Sequence, residues 1–210
     1  MDGTLTPSKA PIRRDMVQLL GRLLERKSVA VIGGGRYGQF RRQFIGRAKF
    51  RQELAARLFL FPTSAAAFYR WRGGWKKVYA HELPPPAKKK IFAAFREVFK
   101  ETGYKHPEKV YGRVIEDRGT QITFSAVGQK TPIRVKMLWH RRNNQLRARL
   151  ARLLGVKLPE FGVRVGGLTS IDVTRKGIDK AYGIHQIRKA LRIGIKDMLF
   201  VGDAIFPGGN

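Results

Sequence analysis

Apolar residues follow two rhythms along this chain. From Ile12 to Lys27 they recur at Met16, Leu19, Leu20, Leu23 and Leu24, the three-to-four spacing of an amphipathic helix. Ser28-Val29-Ala30-Val31-Ile32 then runs apolar without alternation, as a strand covered on both faces does, and Gly33-Gly34-Gly35 closes it. Tyr37 to Arg47 predicts a second helix, and Leu58-Phe59-Leu60-Phe61 a second buried strand. Helix and strand in alternation, with glycine at a strand end, predict an α/β doubly wound core.

The rhythm then changes. Pro84-Pro85-Pro86 and Lys88-Lys89-Lys90 mark a boundary, and Ile91 to Lys100 reads as a helix behind it. Gly112 to Glu116 and Gln121 to Val127 predict strands, Gln145 to Leu154 a helix, and Gly162 to Val165 and Thr169 to Val173 further strands. This stretch reads as an α+β module inserted into the core. Ile178 to Leu191 returns to helical spacing, and Asp197-Met198-Leu199-Phe200-Val201 predicts one more buried strand, ending at Gly202-Asp203. The expected division is therefore a discontinuous core, 1–82 and 176–210, with a cap at 83–175.

Composition narrows the chemistry. The chain of 210 residues is 43% apolar, enough for a packed core. It has no cysteine, which excludes disulfides, thiolate metal sites and thiol nucleophiles. The four histidines, His81, His106, His140 and His185, show no ligand spacing. No apolar run reaches the roughly 18 residues of a membrane span, and no signal-peptide h-region opens the chain. The expectation is a cytoplasmic protein with no membrane partner. Forty-three Lys and Arg against fifteen Asp and Glu leave a net charge of +28. Such a field attracts polyanions and predicts salt-dependent, non-specific nucleic-acid binding, for instance to RNA or a ribosome. Many of these cations sit at helical spacing, as Arg147, Arg149 and Arg152 do, and the plainer reading is a solvated basic surface.

Three residues suggest phosphoryl chemistry. Asp203 ends an expected strand after a glycine, Asp2 precedes Gly3-Thr4, and Lys180 opens the helix behind Asp172 to Arg175. Phosphoryl transfer through an aspartyl-phosphate needs a carboxylate nucleophile, an acid/base carboxyl, a cation for the moving oxygens and a divalent metal. Each residue alone is ordinary turn or surface chemistry.

Longer strings connect them. Asp2-Gly3-Thr4-Leu5-Thr6-Pro7 at one end and Gly202-Asp203 through Pro207-Gly208-Gly209-Asn210 at the other resemble the first and last motifs of the haloacid dehalogenase (HAD) superfamily. Gly112, Ile115, Glu116 and Arg118, then Gly166-Gly167 with Ser170, Asp172 and Val173, then Gly177 with Asp179 and Lys180, are similar to strings of its eukaryotic-type phosphomannomutase branch. The resemblance implies a HAD-like Rossmannoid core with an inserted α+β cap. It also implies a Mg²⁺-dependent enzyme acting on a phosphorylated hexose, as a mutase between hexose 6- and 1-phosphates or as a phosphatase of the same branch. By the resemblance Asp2 would be the general acid/base, Lys180 the phosphate-holding cation and Asp203 a Mg²⁺ ligand. Arg118, Ser170 and Asp172 would contact the sugar phosphate, a homodimer is possible, and Gly34, Gly35 and Arg36 would form the phosphate loop.

The chain also departs from the pattern. Gln129 and Lys136 stand where the branch has two further arginines, and Gln129 carries no charge. The Gly33–Arg36 loop lacks the usual Ser or Thr hydroxyl. The nucleophilic Asp of the pattern falls one residue before Met1, and the first central strand would precede it. The expectation is a fragment without catalytic activity; the alternative is a catalytically dead HAD-like domain that binds RNA or a ribosome.

Overall fold

The structure, a computed structural model, describes residues 1–7 and 10–203. The chain divides into two compact units, Met1–Ala80 with Ile178–Asn210, and His81–Gly177.

The first unit begins with α1 (Arg14–Arg26), β1 (Val29–Ile32) and the short α2 (Tyr37–Phe40). A π-helical turn at Arg41–Ile45 leads into α3 (Gly46–Ala48), so the helix expected over Tyr37–Arg47 runs without interruption but changes to π-type hydrogen bonding in its middle. Then come α4 (Gln52–Ala55), β2 (Leu58–Phe61), β3 (Ala67–Trp71) and β4 (Trp75–Ala80). The strands form one sheet in that order, β1 parallel to β2 and the other two pairs antiparallel. Alternation within the two buried strands explains the layers. Val31, Leu58 and Leu60 point to one side, where Leu20 and Leu24 of α1 and Phe40 and Phe44 pack on them. Ala30, Ile32, Phe59 and Phe61 point to the other, against Tyr182, Ile187 and Leu191. Each fully buried Leu or Phe contributes roughly 1.5–3 kcal/mol. Leu19 and Leu23 were expected in the buried stripe of α1 but are 50% and 44% exposed. They lie one helical step round from Leu20 and Leu24, past the edge of the contact.

In the second unit α5 (Pro85–Thr102), β5 (Ile115–Asp117), β6 (Gln121–Ser125), α6 (Ile133–Lys157), β7 (Phe161–Gly166) and β8 (Ser170–Arg175) build an antiparallel sheet of order β5-β6-β8-β7. Ile122, Phe124, Ile171 and Val173 face α5 and α6, which cover them with Ile91, Phe95, Val98, Trp139, Leu150 and Leu154. Helix α6 starts twelve residues before the expected Gln145, because Pro132 initiates it and its early turns are apolar only at Ile133, Val135, Met137, Leu138 and Trp139. Helix α7 (Lys180–Leu191) then returns the chain to the first unit.

The strand expected at Asp197–Val201 is not formed. A 3₁₀ turn occupies Ile195–Asp197, the backbone from Met198 to Val201 is irregular, and Leu199 is 91% exposed. A buried strand needs a ladder partner for its N–H and C=O groups, and among the described residues none pairs with this stretch.

Candidate active site

Loop chemistry at strand ends and a helix start assembles one group of residues in the first unit. Residues 1–6 fold on themselves: Leu5 and Thr6 donate backbone N–H groups to the Met1 carbonyl at 2.9 and 3.2 Å, and Gly3 donates to Thr6 at 2.8 Å. The Met1 nitrogen donates to the Ile32 carbonyl at the end of β1, 3.3 Å away. Asp2, next in the chain, is half-buried and accepts from Gln39 Nε2 at 3.3 Å. Gln39 sits so close to Gly35 that a Cβ there would lie 2.4 Å from its Oε1. The glycine loop thus opens the way for an amide to reach Asp2.

Asp203 comes to the same place from the far end of the sequence. Its Oδ1 accepts from the Thr4 hydroxyl at 3.4 Å, and its Oδ2 would be 2.2 Å from a Cβ on Gly3, whose φ is +80°. Lys180 is the first residue of α7, behind Asp179, whose carboxylate caps the helix by accepting the Tyr182 N–H at 2.8 Å. Burial holds the Lys180 ammonium below its ordinary range, and Asp203 pulls it back up. At the Met1 amino group, burial lowers the pKa first, while Asp2 and Asp203 raise it and Lys180 lowers it. Asp203 thus stands beside the loop that carries Asp2 and influences the charge of Lys180.

Gly34, Gly35 and Arg36 form the loop leaving β1. Thr63 and Ser64 donate their N–H groups to the carbonyls of Gly35 and Gly33, each at 2.9 Å. Thr63, Ser64 and Ala65 all have left-handed backbones, with φ of 50°, 54° and 71°. Strain of this kind costs of order 1–3 kcal/mol per residue and is held by surrounding structure. It lies at the end of β2 beside the loop, and the sequence offered no signal for it. Gln39 was likewise missed, since an uncharged residue outside any quoted string carries no signal, and Thr4 was read as part of the Asp2-Gly3-Thr4 string without a role of its own. Among the described residues there is no group of three or more His, Cys, Asp or Glu able to hold a metal.

In the second unit the other expected residues gather on the polar face of the sheet. The register aligns Glu116, Thr123, Asp172 and Arg164 in one row across all four strands. Thr123 Oγ1 donates to Asp172 Oδ1 at 2.7 Å and receives Gln121 Nε2 at 2.7 Å. Arg118 donates to Glu116 and to Gln129 Oε1, both at 2.9 Å. Burial pushes the Asp172 carboxyl above the usual range, opposed by Arg118 and by hydrogen bonds from Thr123 and Gln121. Ser170 lies two residues before Asp172 on the same strand face. Lys136 comes from elsewhere: it belongs to the buried stripe of α6 with Trp139, Arg147, Leu150 and Leu154.

The string Pro207-Gly208-Gly209-Asn210 lies outside the described residues. Over the whole chain the comparison is wider: the family model of eukaryotic phosphomannomutase matches residues 16–210. The chain belongs to this family. Phosphomannomutase of Saccharomyces cerevisiae is 23% identical over 238 residues, covering all of this chain and 80% of the yeast protein. IMP-bound, N-terminally truncated IMP-nucleotidase of Plasmodium falciparum superposes with a TM-score of 0.66 at 12% identity, over 100% of this chain and 59% of that one. The chain thus spans about three-fifths of that solved relative's length. A haloacid dehalogenase-like hydrolase from Bacteroides thetaiotaomicron gives 0.59 at 14% identity, over 91% and 75% of the two chains. These phosphomannomutase-family residues adopt an α/β HAD-like fold with an inserted α+β unit. Among the described residues no helix is long and apolar enough to cross a membrane.

Proposed function

We propose that this phosphomannomutase-family chain provides the phosphate-handling groups of a Mg²⁺-dependent phosphosugar phosphotransferase, a hexose-phosphate mutase or a phosphatase of the same branch. The observation that carries the reading is the approach of Asp203 to the loop that holds Asp2, where its Oδ1 accepts from the Thr4 hydroxyl at 3.4 Å, with its charge raising the Lys180 pKa against burial. Lys180 neutralises a bound phosphoryl oxygen, a task its half-buried ammonium performs better than an exposed one because water screens it less. Asp2 exchanges a proton with the sugar oxygen, and Gln39 holds its carboxylate in place.

Magnesium takes one or two protein carboxylates and completes its octahedron with phosphate and water. Asp203 would be the protein carboxylate of that set, and Mg²⁺ would supply charge neutralisation for the phosphoryl group. Gly34, Gly35 and Arg36 offer loop N–H groups and one cation to the phosphate. Arg118, Gln129, Ser170, Asp172 and Lys136 are the proposed sugar-phosphate contacts; a guanidinium suits phosphate because its planar fork binds two oxygens.

Calorimetric titration with a hexose bisphosphate and Mg²⁺ tests this. Binding that depends on Mg²⁺ and weakens at least tenfold in Lys180→Met and in Asp203→Asn is expected. Equal affinity in all three proteins overturns the assignment.

A further inference from the structure

From Arg118 to Pro159 the chain has ten Lys and Arg and not one Asp or Glu. Helix α6 occupies most of this stretch and, with 25 residues, is about 37 Å long. At about 100° per residue its buried positions, Lys136, Trp139, Arg147, Leu150 and Leu154, share one side. Arg134, Arg141, Arg142, Arg149 and Arg152 are all exposed and fall within an arc of about 100° on the opposite side. None of the five forms an ion pair among the described residues. By contrast Lys157, at the end of the same helix, pairs with Glu97 and Glu101 at 3.1 and 2.6 Å. The exposed arginines of this helix thus share one line, while Lys157 at its end is neutralised by two carboxylates.

We propose that this arginine face docks on the phosphate backbone of duplex DNA, without reading its sequence. Charge selects a polyanion and disfavours a second copy of the same face. The face offers no aromatic side chain for stacking: Trp139 is buried, and Leu138, Gln145 and Val156 are the other residues along the arc. Single strands are held by aromatic stacking as well as charge, so a rigid duplex is the better partner. A helix of 10–12 Å diameter enters the roughly 12 Å major groove of B-form DNA, whereas the A-form groove of RNA is too narrow to admit it. Arginine forks then pair with phosphates on the groove walls.

The test measures affinity of the full chain for a 24-base-pair DNA duplex between about 50 and 200 mM salt. Each phosphate contact contributes about −0.9 to the log–log salt slope, so five contacts weaken binding about 500-fold over that range. Changing all five arginines to Gln, which preserves helix propensity, is expected to make the slope shallower by about 4.5. A control changes Arg14, Arg22, Arg26, Arg41 and Arg47 to Gln, removing the same charge from exposed positions of the first unit. It is expected to keep a slope within one unit of the parent, and circular dichroism checks that both variants fold. Equal losses in the two variants mean diffuse attraction and overturn the proposal. So does tighter binding to an RNA duplex or to anionic vesicles than to DNA.

Discussion

The two units solve the placement of polar groups by opposite means. In the first, the candidate groups hang from loops at strand ends and from the first turn of α7, and residues almost two hundred positions apart meet there. In the second, they stand on the face of an antiparallel sheet, where a period of two separates Gln121, Thr123 and Ser125 from Ile122 and Phe124. The loop solution depends on close backbone approach at a few points. The sheet solution depends on register, which every ladder bond enforces.

If that contrast is right, the loop unit is the more easily broken. Gly3→Ala brings a left-handed φ and a collision with Asp203 together, and is expected to cost about 2–4 kcal/mol in urea unfolding. Gly166→Ala also meets a carboxylate, Asp172 Oδ2 at 2.5 Å, but has no left-handed φ and can push a side-chain end aside. It is expected to cost less than about 1 kcal/mol. Equal costs would remove the distinction.

Thr123→Val probes the sheet row directly. It deletes the 2.7 Å donor to Asp172 and leaves a partly buried carboxylate short of a partner, at a cost of about 1–3 kcal/mol near neutral pH. An unchanged midpoint would mean that the row contributes no stability.

The smallest effect is a slope. The folded pKa of Asp172 is raised above its ordinary value of 3.8, so the native state holds a proton that the unfolded state has released. Stability associated with this group is full below that value and falls as pH rises through the folded pKa. Urea unfolding from about pH 4 to neutrality should show the wild type losing stability relative to Asp172→Asn. A relative gain instead would reverse the sign and place the carboxylate among net-favourable partners.

Periodicity and motif chemistry carried much of this protein. The apolar runs of β1 and β2, the helix of α1 and the alternation of β6 are written locally, because a buried strand and an amphipathic helix each impose a spacing on consecutive residues. The β3–β4 hairpin was overlooked although its Gly73-Gly74 turn between Trp71 and Trp75 is a recognised signal. Its basic residues, Arg70, Arg72, Lys76 and Lys77, masked the strand pattern. The stretch Met198–Val201 shows the reverse error: a strand-like composition without a partner to bond it.

Strand-end and helix-start positions suggested Asp2, Lys180 and Asp203, and the matching strings of the resembled family joined them to each other and to Arg118, Ser170 and Asp172. Tertiary structure alone brought Asp203 over Gly3, threaded Gln39 past Gly35 to Asp2, and strained Thr63–Ala65 against the loop. It also assigned Lys136 to the buried stripe of α6. Local spacing is set by bonds between neighbours, whereas these contacts join segments distant in sequence and exist only once the sheet and its helices have packed.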